Sequence, residues 1–119
     1  MVLIMIQRAG SMEVEVREKM KDGKGTIPVT HLLHQIQMKG KCRFFGKMDI
    51  APGCSIGLHK HESEEEIYYI MSGKGVAEDN GIKQEVKAGD VILTGNGASH
   101  SIENTSNENL VVLGVILLY

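Results

Sequence analysis

The sequence has no long cluster of basic residues, no long hydrophobic run, no sustained helical periodicity and no cysteine motif, and each absence removes a class of protein. Its 119 residues carry 13 Lys+Arg against 15 Asp+Glu, a formal net charge of −2. The concentrated positive surface that nucleic acid or an anionic membrane would need is therefore missing, and neither is expected as a partner. The apolar opening, Met1 to Ile6, is about one-third of a spanning helix and has neither a basic start nor a small-residue cleavage site. A cytoplasmic protein is the expectation. Cys42 and Cys54 are accompanied by no secretory signal, and their spacing matches no zinc-knuckle or CxxC pattern, so they read as two reduced, partly buried thiols. With no linker, low-complexity tract, tandem repeat or DNA-binding segment, residues 1–119 are expected to form one domain around one core.

What is present is a soluble composition, 42% apolar and 24% charged, punctuated by 14 glycines. From Cys42 to Ile50 the residues alternate between an apolar and a more polar set, the pattern of a half-buried strand, and Pro52-Gly53 ends it with a turn. Asp79-Asn80-Gly81 interrupts two strand-like runs between Lys74 and Lys87, and Asn-Gly suits a type I′ hairpin turn. Ala88-Gly89-Asp90 supplies the next turn, Val91 to Thr94 the next strand, and Asn96-Gly97-Ala98 another break.

The segment from Leu110 to Tyr119 is apolar almost throughout, which suits a terminal strand covered on both faces and raises the expectation of a homodimer. Residues 13–17 alternate like an exposed edge, and residues 1–12 read as a mobile arm or an added strand. Val29 to Met38 fits a strand and a helical face equally. Short strands at close spacing with glycine-rich turns predict an all-β sandwich or barrel.

His59-Lys60-His61 follows an extended segment, where residues two apart share a side, so both imidazoles can address one point. Several imidazoles beside one carboxylate suit iron, manganese, nickel, cobalt, copper or zinc. Taken singly, each of these histidines and the acidic run Glu62, Glu64, Glu65, Glu66 would be ordinary surface residues. Their joint spacing is the informative feature.

That spacing resembles the cupin superfamily. Its first motif, Gly-x5-His-x-His-x3–4-Glu-x6-Gly, is matched by Gly53, His59, His61, Glu66 and Gly73. Its second, Gly-x5-Pro-x-Gly-x2-His-x3-Asn, is matched by Gly89, Gly97, His100 and Asn104, with Gly95 where proline is usual. The resemblance implies a single cupin barrel, a double-stranded β-helix with metal motifs in 53–73 and 89–104. It also implies one divalent transition-metal ion held by His59, His61, Glu66 and His100. Glu65 is the less suitable carboxylate, because choosing it puts Gly73 out of register.

Four ligands would leave one or two positions open for water or a small-molecule ligand. One coordinated carboxylate leaves such an ion with about one net positive charge, which favours an anionic oxygen donor. The leading expectation is a metal-dependent oxygenase, decarboxylase or isomerase acting on a small anionic or polyoxygenated metabolite. The alternative is a non-catalytic module binding a carboxylate or sugar.

The chain is similar to small cupins related to oxalate decarboxylase. Those enzymes place Arg or Asn three positions before the first ligand histidine, and here that position is Ile56, which cannot hold a carboxylate. Tyr68, two residues beyond Glu66, is the catalytic candidate, as a proton or hydrogen-bond donor. His31 and His34, outside both motifs, read as surface or subunit-contact residues.

Overall fold

The computed structural model describes residues 5–119. Ten strands are present among them: β1 Val14–Glu18, β2 Thr26–Leu33, β3 Cys42–Ile50, β4 Ser55–Lys60, β5 Glu64–Ser72, β6 Lys74–Asp79, β7 Ile82–Lys87, β8 Val91–Gly95, β9 Ser99–Glu103 and β10 Leu110–Leu118. They form two antiparallel sheets, one in the order β1-β2-β3-β10-β5-β8 and the other β4-β9-β6-β7. No helix among the described residues is long and apolar enough to cross a membrane.

Side-chain alternation explains the arrangement. On β3, Gly46, Met48 and Ile50 are buried; on β10 the buried set is Leu110, Val112, Gly114 and Ile116; on β5 it is Glu66, Tyr68 and Ile70. Each set lies on one face of its strand and points into the space between the sheets. The core there is Ile27, Val29, Met48, Ile50, Ile56, Ile70, Ile102, Leu110 and Val112, all fully buried. At about 1.5–3 kcal/mol for each large aliphatic side chain buried, this cluster dominates the stabilisation of the fold.

The expected hairpin is β6–β7, in which Asp79 pairs with Ile82. Asn80 and Gly81 supply consecutive positive φ angles of 49° and 91°, as a type I′ turn requires. The ambiguous stretch 29–38 resolves as the end of β2 followed by a short 3-10 turn at Gln35–Gln37. Pairing of Val29 and His31 with β3 decides in favour of the strand. The alternating segment 13–17 is the edge strand β1, paired with β2. Residues 5–13 add no strand, and the first four residues of the expected arm lie outside the described residues.

The last strand, β10, is central, between β3 and β5. Its inner face is buried in the core, whereas its outer residues Val111, Leu113, Val115 and Leu117 are only half-buried. The cysteines, both half-buried, are free. Asn104 of the second motif has a structural task. It is fully buried, and its Nδ2 donates to the carbonyls of Ile50 and Glu108 at 2.8 and 2.6 Å. Its Oδ1 accepts from the Ser106 backbone at 2.9 Å. One amide thus ties the end of β3 to the loop entering β10 and leaves no buried polar group unpaired at that end.

Candidate metal centre

His59 sits on β4, His61 just beyond it, Glu66 on β5 and His100 on β9. Their inward aim has local causes. Ile56 pairs with Ile102 and His59 with His100, so β4 spends one more residue than β9 between the two pairs. This bulge turns His59 inward although it lies an odd number of residues after the core residue Ile56. The bulge includes Gly57, where a Cβ would meet the Lys21 carbonyl oxygen at 2.0 Å, so no side chain fits there.

Across the barrel Gly114 is equally constrained. A Cβ there would lie 2.9 Å from the Met48 methyl and 3.2 Å from Glu66 Oε2. The missing side chain leaves room for the carboxylate to turn toward the histidines.

Four ligand atoms, one from each of His59, His61, Glu66 and His100, lie within 4.8 Å of one another. The His100 Nε2 is 3.0 Å from His61 Nε2 and 2.9 Å from His59 Nε2. Glu66 Oε1 is 3.0 Å from His61 Nε2, 3.1 Å from His100 Nε2 and 3.8 Å from His59 Nε2. Ligands at right angles around an ion at about 2.0–2.1 Å would be separated by about 2.9 Å, so four of the five distances fit one shared cation.

Protons alone satisfy this arrangement poorly. Each neutral imidazole has one N–H, and ring nitrogens facing one another in a buried site cannot all find acceptors. The group is therefore capable of holding a metal ion, and its donor set of imidazole nitrogen and carboxylate oxygen suits the transition metals named above. Glu65 is outside the cluster; it pairs with Gly95 in the β5–β8 ladder.

The electrostatics agree. Burial alone would push the Glu66 carboxyl up, but hydrogen bonds from His100, His59 and His61 outweigh it and hold the group far below the usual carboxylate range. His61 is raised, first by Glu66 and then, against its burial, by Glu64. His100 is lowered because burial disfavours its charged form more than Glu66 favours it. Tyr68 is raised well above its ordinary value by burial and by the Glu66 charge, so its hydroxyl stays protonated. Its ring stacks on His100 with centroids 4.7 Å apart.

The open side of the cluster faces a cavity of about 280 Å³, whose lining includes Arg17, Met20, His31, His34, Arg43 and Phe44. His31 and His34 were expected at the surface or at a subunit contact. Both line this cavity, their rings stacked with centroids 4.7 Å apart; His34 is exposed there, as expected, whereas His31 is largely covered. The reason is register: β2 continues to Leu33, so His31 falls on the same inward face as Ile27 and Val29.

Ile56, by contrast, is fully buried in the apolar core and does not line the cavity. Sequence reasoning also missed Glu64 and Arg43. The Glu64 carboxylate accepts hydrogen bonds from Arg43 Nε at 3.0 Å and Nη2 at 2.7 Å, and lies 2.6 Å from His61 Nδ1. Glu64 stands three residues after a motif histidine, a usable hint, but no local signal announces Arg43, 21 residues away.

Comparison with known proteins agrees with the geometry. Residues 46–116 match the family model described as Cupin domain. An oxalate-binding protein of Thermotoga maritima is 49% identical over 114 residues, 96% of this chain and 94% of its own length. The crystal structure of a predicted oxalate decarboxylase from the same organism superposes with a TM-score of 0.92 at 49% identity, covering 97% of this chain and 100% of that one. A protein of Methanocaldococcus jannaschii is 38% identical over 85 residues, 71% of this chain and 68% of its own length. A motif-bearing barrel, a convergent three-histidine and carboxylate cluster and a matched family model thus lead to one conclusion: the chain belongs to the cupin family.

Proposed function

We propose that this cupin holds one divalent transition-metal ion through His59, His61, Glu66 and His100 and binds a small carboxylate of the oxalate class at it. The observation that carries this reading is the convergence of three Nε2 atoms and one carboxylate oxygen on one point beside the cavity. Three neutral imidazoles and one carboxylate leave a divalent ion with about one net positive charge, which a chelating anion complements. When bound, the ion supplies Lewis-acid attraction for such oxygen donors, or redox chemistry if it is iron or manganese. The chain's own residues orient and enclose the ligand: Met20, Leu33, Phe44 and Ile116 give the cavity apolar walls, and Arg17 and Arg43 line it with positive charge. The similarity to the Thermotoga oxalate-binding protein supports the same ligand class.

Enzymatic turnover of that ligand is the second reading, favoured by Tyr68. Its protonated hydroxyl lies on the cavity wall beside Glu66, where it could donate a hydrogen bond or a proton. Oxalate decarboxylation in particular lacks support at position 56, where Ile56 is in the core.

Elemental analysis of protein purified without chelator should find about one metal ion per chain, lost in His59→Ala and His100→Ala. Calorimetric titration should then detect oxalate binding to metal-loaded but not to metal-free protein. Metal content indifferent to both substitutions would end the proposal. Oxygen uptake or carbon dioxide release with the bound carboxylate would promote the second reading to the first.

A cytoplasmic homodimer completes the proposal. Tyr69 pairs with Val91 and Ile67 with Leu93 on the outer face of β5 and β8, and Tyr69, Val91 and Leu93 are exposed there. An apolar sheet face of this kind supports association of two copies, and sedimentation analysis tests it.

A further inference from the structure

The three candidate ligand imidazoles are held in different ways at their far nitrogens. His59 Nδ1 lies 2.7 Å from the Gly57 carbonyl oxygen. His100 Nδ1 is buried with no partner among the described residues. His61 Nδ1 alone meets a carboxylate, Glu64, at 2.6 Å. Glu64 reaches it through a tight turn in which Ser63 adopts φ 59°, a left-handed conformation that a serine takes only when its surroundings hold it there. Arg43 then fixes both oxygens of Glu64 with a two-pronged contact at 3.0 and 2.7 Å.

The geometry points to Glu64, anchored by Arg43, as the positioning residue that keeps the proton of His61 on Nδ1 and leaves Nε2 free to ligate the metal. This rests on the metal site proposed above. A neutral imidazole has one proton, and His61 lies between two carboxylates: Glu64 at Nδ1 and, at 3.0 Å, Glu66 at Nε2. If the proton went to the Glu66 side, an N–H would point at the place a cation must occupy. Both carboxylates can only accept, but Glu64 is the nearer, at 2.6 Å against 3.0 Å, and the Glu66 oxygen is shared with His100 at 3.1 Å, so Glu64 holds the proton on the far nitrogen. It also makes the ring a stronger donor than the carbonyl-bonded His59. Arg43 lines the cavity as well, so the same guanidinium links the ligand chamber to the orientation of His61.

The test uses the full chain with manganese or zinc and a competing chromophoric chelator. Glu64→Ala should lower metal affinity by about 10–100-fold. Glu64→Gln, whose side-chain oxygen can still accept from Nδ1, should lie between that variant and wild type, and Glu85→Gln on exposed β7 should match wild type.

Ring nitrogen NMR of the metal-free chain, in buffer alkaline enough to leave His61 neutral, should show His61 as the Nδ1–H tautomer in wild type and as a mixture in Glu64→Ala, a change that a merely structural cross-link would not produce. Wild-type His61 carrying its proton on Nε2, or Glu64→Ala binding metal within about threefold of wild type, would overturn the inference. Should Glu64→Ala not fold, the wild-type tautomer and the Glu64→Gln affinity decide it. A chain that binds no metal would refute the site itself, while the metal-free tautomer would still settle the role of Glu64.

Discussion

The two ends of the barrel interior are built from the same strands and do opposite things. On β9, Ile102 belongs to the dry core and His100, two residues earlier, to the candidate metal centre; on β5, Ile70 and Glu66 divide in the same way. At one end large aliphatic side chains exclude water and polar atoms. At the other, two imidazoles and a carboxylate are buried almost as completely, with His61 3% and Glu66 4% exposed, and the half-buried His59 joins them beside a cavity. The difference teaches that a buried polar cluster is tolerated here because its members face one another. It is backed by a rigid apolar end that carries the stability the site does not supply.

The strongest test of this division is Ile102→Ala. A cavity at a fully buried position should lower unfolding stability by about 2–5 kcal/mol, measured by denaturant titration, while metal stoichiometry stays at the wild-type value. Metal lost in step with stability would mean that the two ends are not separable. The converse substitution, His100→Ala, should lower metal affinity by more than about 100-fold, beyond the effect of removing a partner of a ligand. It should move the stability of the metal-free protein less than Ile102→Ala does.

Acid sharpens the same contrast. His61 is raised above the ordinary imidazole range, so in the metal-free protein it takes up a proton before the pH has fallen to about 6.5, and metal must displace that proton. Apparent affinity should therefore be greatest in mildly alkaline buffer, begin to fall above about pH 6.5 and be largely lost below about pH 5. Glu66 adds the opposite limb of the argument. Its folded value is depressed, so the stability it contributes is present above its unfolded value of about 4.3 and disappears only as pH falls through the lower folded value. Metal release should thus precede acid unfolding, as paired metal and circular dichroism titrations would show.

The smallest effect is expected where the two ends meet. Tyr68→Phe keeps the ring against His100 and removes only the hydroxyl, so stability should change by about 1 kcal/mol or less and metal affinity little. Loss of turnover in this variant, in a protein shown to turn over a carboxylate, would establish Tyr68 as a proton donor.

Much of this was legible in the residues. Asn80-Gly81 declared its hairpin because few residues other than glycine and asparagine readily accept consecutive positive φ angles. The alternation from Cys42 to Ile50 declared β3. His59, His61, Glu66 and His100 were legible because motif spacing specifies them jointly. The stretch 29–38 was not, since its apolar residues satisfy two periodicities and only pairing with β3 breaks the tie. His31 was misplaced for a similar reason: a histidine outside a motif gives no sign of which face its strand will turn inward, whereas His34, beyond the end of β2, is exposed as expected.

The sequence by itself determined the strand-forming alternation, the turns and the identities of four candidate ligands, because these depend on neighbours a few residues away and on repeated spacing. Tertiary structure alone decided that β4 carries a bulge aiming His59 inward, that Gly114 clears space for Glu66, and that Arg43 and Glu64 stand behind His61. Those features are contacts between strands distant in the chain. Local chemistry leaves their partners open until hydrogen-bond register and burial choose them.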